Sequence, residues 1–176
     1  INYDKAPRIP TVHMGSRTTS YILRGVSTPK TNFDKAFRED HWFNISAIDV
    51  FDLTAKSIAI IGNSITDGKN STNNAQNRWP DILSESLQKK HGVTDVGILN
   101  LGIGNNRVTL TGGFGFMARK RFDHDILLQR GVRTVVIFEG VNDIGATPNN
   151  KVETVTNDLI QSYEEMIRKA KERNLR

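Results

Sequence analysis

A single serine, Ser64, stands where a short apolar run of the sequence gives way to a polar turn. Residues 58–61 read Ile-Ala-Ile-Ile, a pattern typical of a strand that is buried on both faces in a parallel sheet. From Gly62 the sequence continues as Gly-Asn-Ser-Ile-Thr-Asp-Gly, which presents one serine hydroxyl. Because open α/β sheets bind ligands beyond the carboxyl ends of their strands, Ser64 is a candidate nucleophile.

Two further predicted strands, residues 96–101 and 134–139, also end in polar turns that contain glycine. Parallel strands end on the same side of a sheet, so the three turns would meet at one edge. Backbone N–H groups of Gly104 and Asn105 and the side-chain amide of Asn142 would then lie near Ser64. Such donors stabilise the oxyanion that forms when a hydroxyl attacks an ester. An isolated serine is usually a turn or cap residue, and it is the convergence of three turns that favours ester hydrolysis.

The glycine turns do not fit the motifs that bind phosphate. The segment from Gly62 to the following Gly-Lys pair is one residue too long for a P-loop and lacks its hydroxyl. The Gly-x-Gly after the second strand begins a dinucleotide pattern, but Arg107 occupies the place of the third glycine. A flavodoxin-like nucleotide or phosphate binder is therefore the weakest of three functional hypotheses.

Predicted helices alternate with the strands. Residues 78–91 predict a helix with Pro80 in its first turn and Gly92 at its end. A second helical segment would present an apolar side formed by Phe116, Phe122, Ile126 and Leu127. Residues 151–173 predict the longest helix, because apolar residues recur there at steps of three and four: Val152, Val155, Leu159, Tyr163, Met166 and Ala170. The pattern predicts a flavodoxin-like, three-layer α/β/α fold with a parallel sheet, and a further strand after the last helix.

Residues 1–55 differ from the rest of the chain. Three prolines and short β-prone stretches predict irregular β structure there: Pro7, Pro10 and Pro29, and residues 18–23, 42–45 and 48–51. We expect either an extension that packs on the main domain or the end of an accessory, carbohydrate-binding domain. Fifty residues make a small independent core, which favours the extension. The main domain would then comprise residues 56–176.

Composition describes a globular protein that is soluble and forms one main domain. Of 176 residues, 37% are hydrophobic and 24% are charged, and no apolar run approaches the roughly 20 residues of a membrane span. The net charge of +5 does not predict nucleic-acid binding, because residues 41–176 are nearly balanced and the basic run 119–121 suits a solvated helix face. Since cysteine is absent, disulfides, thiolate nucleophiles and zinc–thiolate sites are excluded.

Three motifs together resemble the first three signature blocks of the SGNH (GDSL-type) esterase family. They are GNSITDG at residues 62–68, NLGIGNNR at 100–107 and GVND at 140–143. The segments RWP at 78–80, RFDHD at 121–125 and EGVNDI at 139–144 are similar to one branch of that family, secreted microbial esterases of which many are carbohydrate-related. The resemblance covers about residues 56–176. A weaker match at 12–21 and 42–50 concerns the β-rich region that precedes the esterase domain in this branch.

The resemblance implies roles for individual residues. Ser64 would be the nucleophile, and its own N–H, the N–H of Asn105 and the amide of Asn142 would form the oxyanion hole. The implied supporting residues are Gly62, Asn63, Asp67, Gly104 and Asp143. Asn63 replaces the usual Asp and keeps an acceptor, while Asn105 replaces a glycine and tolerates a positive φ better than most residues. No metal and no organic cofactor is implied.

The family's last block, Asp-x-x-His, which provides the base and its orienting acid, does not occur in this sequence. The four histidines suit structural or solvated roles better: His13 and His41 in the extension, His91 at a helix end and His124 in a helical segment. We therefore expect the catalytic Asp and His in a carboxyl-terminal segment beyond Arg176. Residues 1–176 alone are expected to be inactive and not to persist as an isolated monomer.

The main hypothesis is a serine esterase that hydrolyses small acyl esters, acetyl esters above all, through an acyl-Ser64 intermediate. Its implied substrates are acylated carbohydrates, and its implied location is secreted or periplasmic. The expected partners are this substrate and the carboxyl-terminal segment of the same protein, with no nucleic acid and no membrane span. The alternative is a non-catalytic carbohydrate-binding protein of the same fold that lacks the base.

Overall fold

A computed structural model describes residues 5, 8, 11–25, 29, 31–45 and 47–176. The predicted irregular structure at Pro7 and Pro10 lies outside these residues. Four short strands occur in the amino-terminal segment: β1 (Val12–His13), β2 (Ser20–Ile22), β3 (Phe37–Glu39) and β4 (Trp42–Phe43). β1 pairs with β4 and β2 with β3, both antiparallel. The predicted β stretch at residues 48–51 is wrong, because these residues form no strand and their apolar side chains are exposed.

Three parallel strands form the central sheet. They are β5 (Lys56–Gly62), β6 (Val96–Gly102) and β7 (Val132–Phe138), in the order β6-β5-β7. The central strand is buried on both faces, with Ala59, Ile60 and Ile61 at 0% exposure. Gly62 pairs with Gly102 on one side and with Phe138 on the other, so the three strands end at the same level. The predicted parallel sheet is confirmed.

Helices follow each of the three parallel strands. They are α1 (Ser64–Asp67), α2 (Trp79–His91), α3 (Ala118–Phe122), α4 (Val141–Ala146) and α5 (Val152–Glu172). The sequence predicts three of them, and the two short helices α1 and α4 lie where it predicts polar turns. α3 continues into a π-helical turn, Asp123–Leu127, and a 3₁₀ turn, Asn149–Lys151, precedes α5. α2 ends at Gly92 in the left-handed conformation (φ 66°), where glycine carries no steric cost.

One apolar core joins the sheet to α3 and α5. Phe122, Ile126 and Met166 are almost completely buried in it, against Ala59 and Ile61 of the central strand. Leu159 and Tyr163 pack at its margin. Two sequence predictions are wrong, because Val152 is 52% exposed and Phe116 is 76% exposed. Phe116 precedes α3 and lies in the loop, so it cannot share the apolar side of that helix.

The last described residue returns to the sheet. Arg176 donates its N–H to the carbonyl of Arg133 and accepts a hydrogen bond from the N–H of Val135, beside the outer edge of β7. This is the pairing of a parallel neighbour strand. Among the described residues, no helix combines the length and the apolar character needed to cross a membrane.

Candidate active site

Ser64 is the first residue of α1, immediately after the central strand ends at Gly62. Asn63 caps this helix: its Oδ1 accepts a hydrogen bond from the N–H of Ile65 at 3.0 Å, and its side chain is buried. Asn63 is expected to keep the acceptor that an Asp would provide, and its Oδ1 does accept a hydrogen bond here. The hydroxyl of Ser64 is partly exposed, and no described residue makes a hydrogen bond to it.

Two glycines let α1 pack directly on the ends of the strands. A Cβ atom at Gly62 would lie 2.2 Å from Oγ1 of Thr66, and one at Gly102 would lie 2.3 Å from the backbone nitrogen of Asp67. Both distances are far below van der Waals contact. Asn100 adds a polar link, since its amide donates to the carbonyl of Thr66 at 2.8 Å. These contacts fix the position of Ser64 relative to the end of β6.

The second turn holds Asn105 and Asn106 against the loop that follows. Asn105 adopts a positive φ of 53°, as expected for a residue that replaces glycine there. Asn106 is 1% exposed, and its amide donates to the carbonyls of Phe114 and Phe116 at 2.7 and 2.9 Å. The turn is therefore rigidly tied to the loop before α3. Gly104, also predicted as supporting, approaches Asp67: a Cβ atom there would lie 3.1 Å from its Oδ2.

The third turn is joined to the second by Asn142 and Asp143. The amide of Asn142 donates to the carbonyl of Asn106 at 2.8 Å. Asp143 is completely buried, and its carboxylate accepts three backbone N–H bonds at 2.8 to 3.0 Å, from Val108, Thr109 and Leu110. Three such bonds compensate the cost of burying the charge. The second and third turns are thus joined to each other at the edge of the sheet where Ser64 follows the central strand.

Arg121 connects the ends of all three strands, and the sequence analysis missed it. Its side chain is 5% exposed. The guanidinium donates to the carbonyls of Leu101 and Gly62, at 2.8 and 3.2 Å, and to Oδ1 of Asn106 at 3.1 Å. Interpreting residues 119–121 as a solvated face was therefore wrong for Arg121. The available signal was its spacing of four residues from Asp125, with which it forms an ion pair at 2.9 Å.

Glu139 lies beside Arg121 at the end of the third strand. Its side chain is 0% exposed, and Oε1 is 3.5 Å from Nη2 of Arg121. Burial raises the pKa of Glu139 to about 7, although the positive charge of Arg121 opposes that rise. Neither carboxyl oxygen makes an aligned hydrogen bond to a described residue. Arg121 and Glu139 thus form a buried pair at the strand ends, in which the carboxyl group has no aligned hydrogen bond.

The histidines fall into two groups. His91 and His124 are exposed; the latter contacts Asp125 at 2.9 Å. His13 is packed against Asp67, where Nε2 contacts Oδ1 without the alignment of a hydrogen bond. His41 lines a pocket of about 400 Å³ that also contains Ser64. In the described part of the chain, no group of three or more metal-ligating side chains is placed to hold a metal ion.

Comparisons with known proteins agree with this architecture. The model of the GDSL-like lipase/acylhydrolase family matches residues 60–176. The structure is similar to that of a variant of esterase AlinE4, at 17% identity and a TM-score of 0.53, over 69% of this chain and 56% of that one. It is also similar to an acetyl xylan esterase, AlAXEase, at 23% identity and a TM-score of 0.51, over 68% and 54%. The chain spans about half the length of these solved chains. No curated protein matches the sequence.

Proposed function

Since the chain belongs to the GDSL-like lipase/acylhydrolase family, we propose that it carries the nucleophile and the oxyanion hole of a serine carboxylic ester hydrolase. The observation that carries the proposal is the convergence of three strand ends at Ser64, with Asn142 bonded across to the turn of Asn105 and Asn106. A nucleophile and donors for an oxyanion, held on rigid elements, are what acyl transfer requires.

The proposed chemistry proceeds in two steps. Oγ of Ser64 attacks the carbonyl carbon of the ester and loses its proton to a base, and the negative charge of the tetrahedral intermediate moves to the carbonyl oxygen. The N–H groups of Ser64 and Asn105 and the amide of Asn142 would stabilise that oxygen. The alcohol then leaves with a proton, and water hydrolyses the acyl-Ser64 ester. We propose that the base and its orienting acid come from an Asp-x-x-His segment of the same protein outside these residues.

Acetyl esters of carbohydrates are the proposed substrates, and a secreted or periplasmic location is proposed with them. Support comes from the branch of secreted esterases that the motifs resemble, and from a neighbour that is an acetyl xylan esterase. Polar residues around Ser64, among them Asp40, Lys69 and Asn73, suit a hydroxylated alcohol better than a long acyl chain.

A Ser64→Ala variant of the full-length protein tests the assignment of the nucleophile. We expect hydrolysis of 4-nitrophenyl acetate to fall by about 10⁴- to 10⁶-fold in this variant. Mass spectra of rapidly quenched wild-type reactions should contain an acetylated peptide that includes Ser64, and spectra of the variant should lack it. Ser84→Ala, in α2, where the hydroxyl accepts a hydrogen bond from Gln88 of the same helix, is the matched control and should retain activity. Substantial turnover by a folded Ser64→Ala variant would place the chemistry elsewhere.

The second candidate function is carbohydrate binding without catalysis. It is favoured by one observation, that no described residue makes a hydrogen bond to the Ser64 hydroxyl. If the full-length wild type binds acetylated xylo-oligosaccharides in calorimetry but shows neither turnover nor an acetyl-Ser64 adduct, this second function replaces the first.

A further inference from the structure

The pocket at Ser64 is built from two distant parts of the chain. Ser64 and Asp67 belong to α1, whereas Met14, Asp40 and His41 come from the amino-terminal segment. The pocket holds about 400 Å³, within the range of small-molecule sites. The amino-terminal segment, here the described residues between 11 and 45, therefore forms one wall of the space in front of the proposed nucleophile.

This wall is fixed to the main domain by buried contacts. Arg78, 5% exposed, donates to the carbonyl of Ser16 at 2.9 Å, and its guanidinium lies over the ring of Trp42 at 5.0 Å. The backbone at Gly15 passes so close to α1 that a Cβ atom there would lie 2.3 Å from Cγ of Asp67. The amino-terminal segment is thus in direct van der Waals and hydrogen-bond contact with the main domain, at Asp67 of α1 and at Arg78.

The loop of residues 69–77 is held by the same segment. Asn74 donates its N–H to the carbonyl of Arg17 at 2.7 Å and accepts the N–H of Thr19 at 2.8 Å. Asn73 donates to the carboxylate of Asp40 at 2.7 Å. The loop of residues 69–77 is almost entirely polar, so it has few apolar side chains that could fix its conformation by packing. Its hydrogen bonds to Arg17, Thr19 and Asp40 instead fix its position beside Ser64.

His41 is the residue of this wall whose ring nitrogens have no hydrogen-bond partner among the described residues. The ring is half-buried in the lining of the pocket. Neither ring nitrogen makes a hydrogen bond to a described residue, and Nδ1 is withdrawn from solvent. Because Nδ1 is withdrawn from solvent, a ligand in the pocket cannot reach it. Nε2 is not withdrawn, and it is the ring nitrogen through which His41 can bind a ligand in the pocket.

We infer that the amino-terminal segment is the alcohol-binding wall of the active site, and that His41 positions the substrate by a hydrogen bond from its Nε2 to a hydroxyl of the alcohol. This inference rests on the proposed function, since the pocket receives substrate only if Ser64 is the nucleophile. The ligand class is a polyhydroxylated alcohol, such as a sugar, esterified with a small acid. His41 is thereby a specificity-determining residue.

The test compares two esters in the full-length protein: acetylated xylobiose, which carries free hydroxyls, and 4-nitrophenyl acetate, which carries none. We expect His41→Ala to lower kcat/KM for acetylated xylobiose by about tenfold, mainly through KM, because one hydrogen bond to the substrate is lost. The change for 4-nitrophenyl acetate should stay below about twofold. His41→Gln, whose amide nitrogen approximates Nε2, should restore most of the loss, whereas His41→Asn, which approximates Nδ1, should not. His124→Ala is the matched control on an exposed histidine.

Equal losses on both esters, or no loss on either, would overturn the inference. Met14→Trp provides a variant that does not depend on the folding of His41 mutants, because Met14 is 59% exposed. A tryptophan there should narrow the pocket and lower kcat/KM for acetylated xylobiose at least fivefold more than for 4-nitrophenyl acetate. An equal effect on the two esters would contradict the inference that the amino-terminal segment binds the alcohol. Failure of the proposed function gives a different result. Ser64→Ala would then retain turnover, whereas failure of the present inference would leave Ser64→Ala inactive and change only the relative kcat/KM values of the two esters in the His41 and Met14 variants.

Discussion

Nη2 of Arg121 lies 3.5 Å from Oε1 of Glu139, and both side chains are withdrawn from solvent directly behind the edge of the sheet that bears Ser64. Arg121 also binds the carbonyl groups at the ends of β5 and β6. Glu139, at the end of β7, has a carboxyl group without an aligned hydrogen bond among the described residues. The guanidinium of Arg121 therefore has hydrogen-bond acceptors, whereas burial of the Glu139 carboxyl group costs desolvation free energy that no aligned hydrogen bond offsets.

Glu139→Gln should change how stability depends on pH. Burial raises the pKa of Glu139 from 4.5 to about 7, so between these values the folded state holds a proton that the unfolded chain releases. The unfolding free energy therefore falls as pH rises from about 4.5 to about 7, by roughly 3 kcal/mol from this residue. The variant should lack this fall. Urea titrations at pH 4.5, 6 and 8 measure it, with exposed Glu153→Gln as the control; parallel curves for wild type and Glu139→Gln would contradict the prediction.

Arg121→Met should destabilise the protein by about 3–5 kcal/mol, because it leaves Glu139 and Asp125 without their cation and frees two strand-end carbonyls. Lys120→Met changes the same charge one residue earlier on the exposed side of α3 and should cost less than about 0.5 kcal/mol. Denaturant unfolding of both variants gives the comparison. Similar midpoints for the two would show that Arg121 does not hold the strand ends.

Gly102→Ala should be strongly destabilising, because the added Cβ atom would lie 2.3 Å from the backbone nitrogen of Asp67 and must displace α1. We expect a loss of about 1–3 kcal/mol together with reduced turnover, since Ser64 is on the displaced helix. Gly145→Ala, in α4, meets nothing within 4 Å and should be neutral or stabilising by up to about 1 kcal/mol. Thermal unfolding distinguishes them, and equal melting temperatures would refute the close approach.

Asn142→Ala should lower kcat by about 10²- to 10³-fold with little change in KM, because an oxyanion donor acts only on charge that appears in the transition state. Steady-state kinetics on 4-nitrophenyl acetate measures both constants, and Asn150→Ala in the exposed 3₁₀ turn serves as control. A raised KM with unchanged kcat would instead make Asn142 a contact to the bound substrate.

The sequence determined those features that depend on neighbours along the chain. Short apolar runs predicted strands β5, β6 and β7 with errors of one or two residues at their ends, and the three- and four-residue period predicted α5. Glycine and asparagine turns located Ser64, Asn105 and Asn142 beyond the strands. These patterns work because a strand buried on both faces and an amphipathic helix each impose a local periodicity. The roles of these three residues stay predictions.

Tertiary structure alone decided the features that depend on distant residues. Arg121 follows two basic residues in the sequence, yet its side chain is buried because Leu101, Gly62 and Asn106 supply its acceptors from 15 to 59 positions away. The raised pKa of Glu139 follows from desolvation, which no local pattern encodes. His41 enters the pocket of Ser64 only because residues 11–19 and 40–43 pack against α1 and the loop that follows it. Burial and pocket formation depend on contacts between residues that are far apart in the sequence. Local sequence patterns therefore do not predict them.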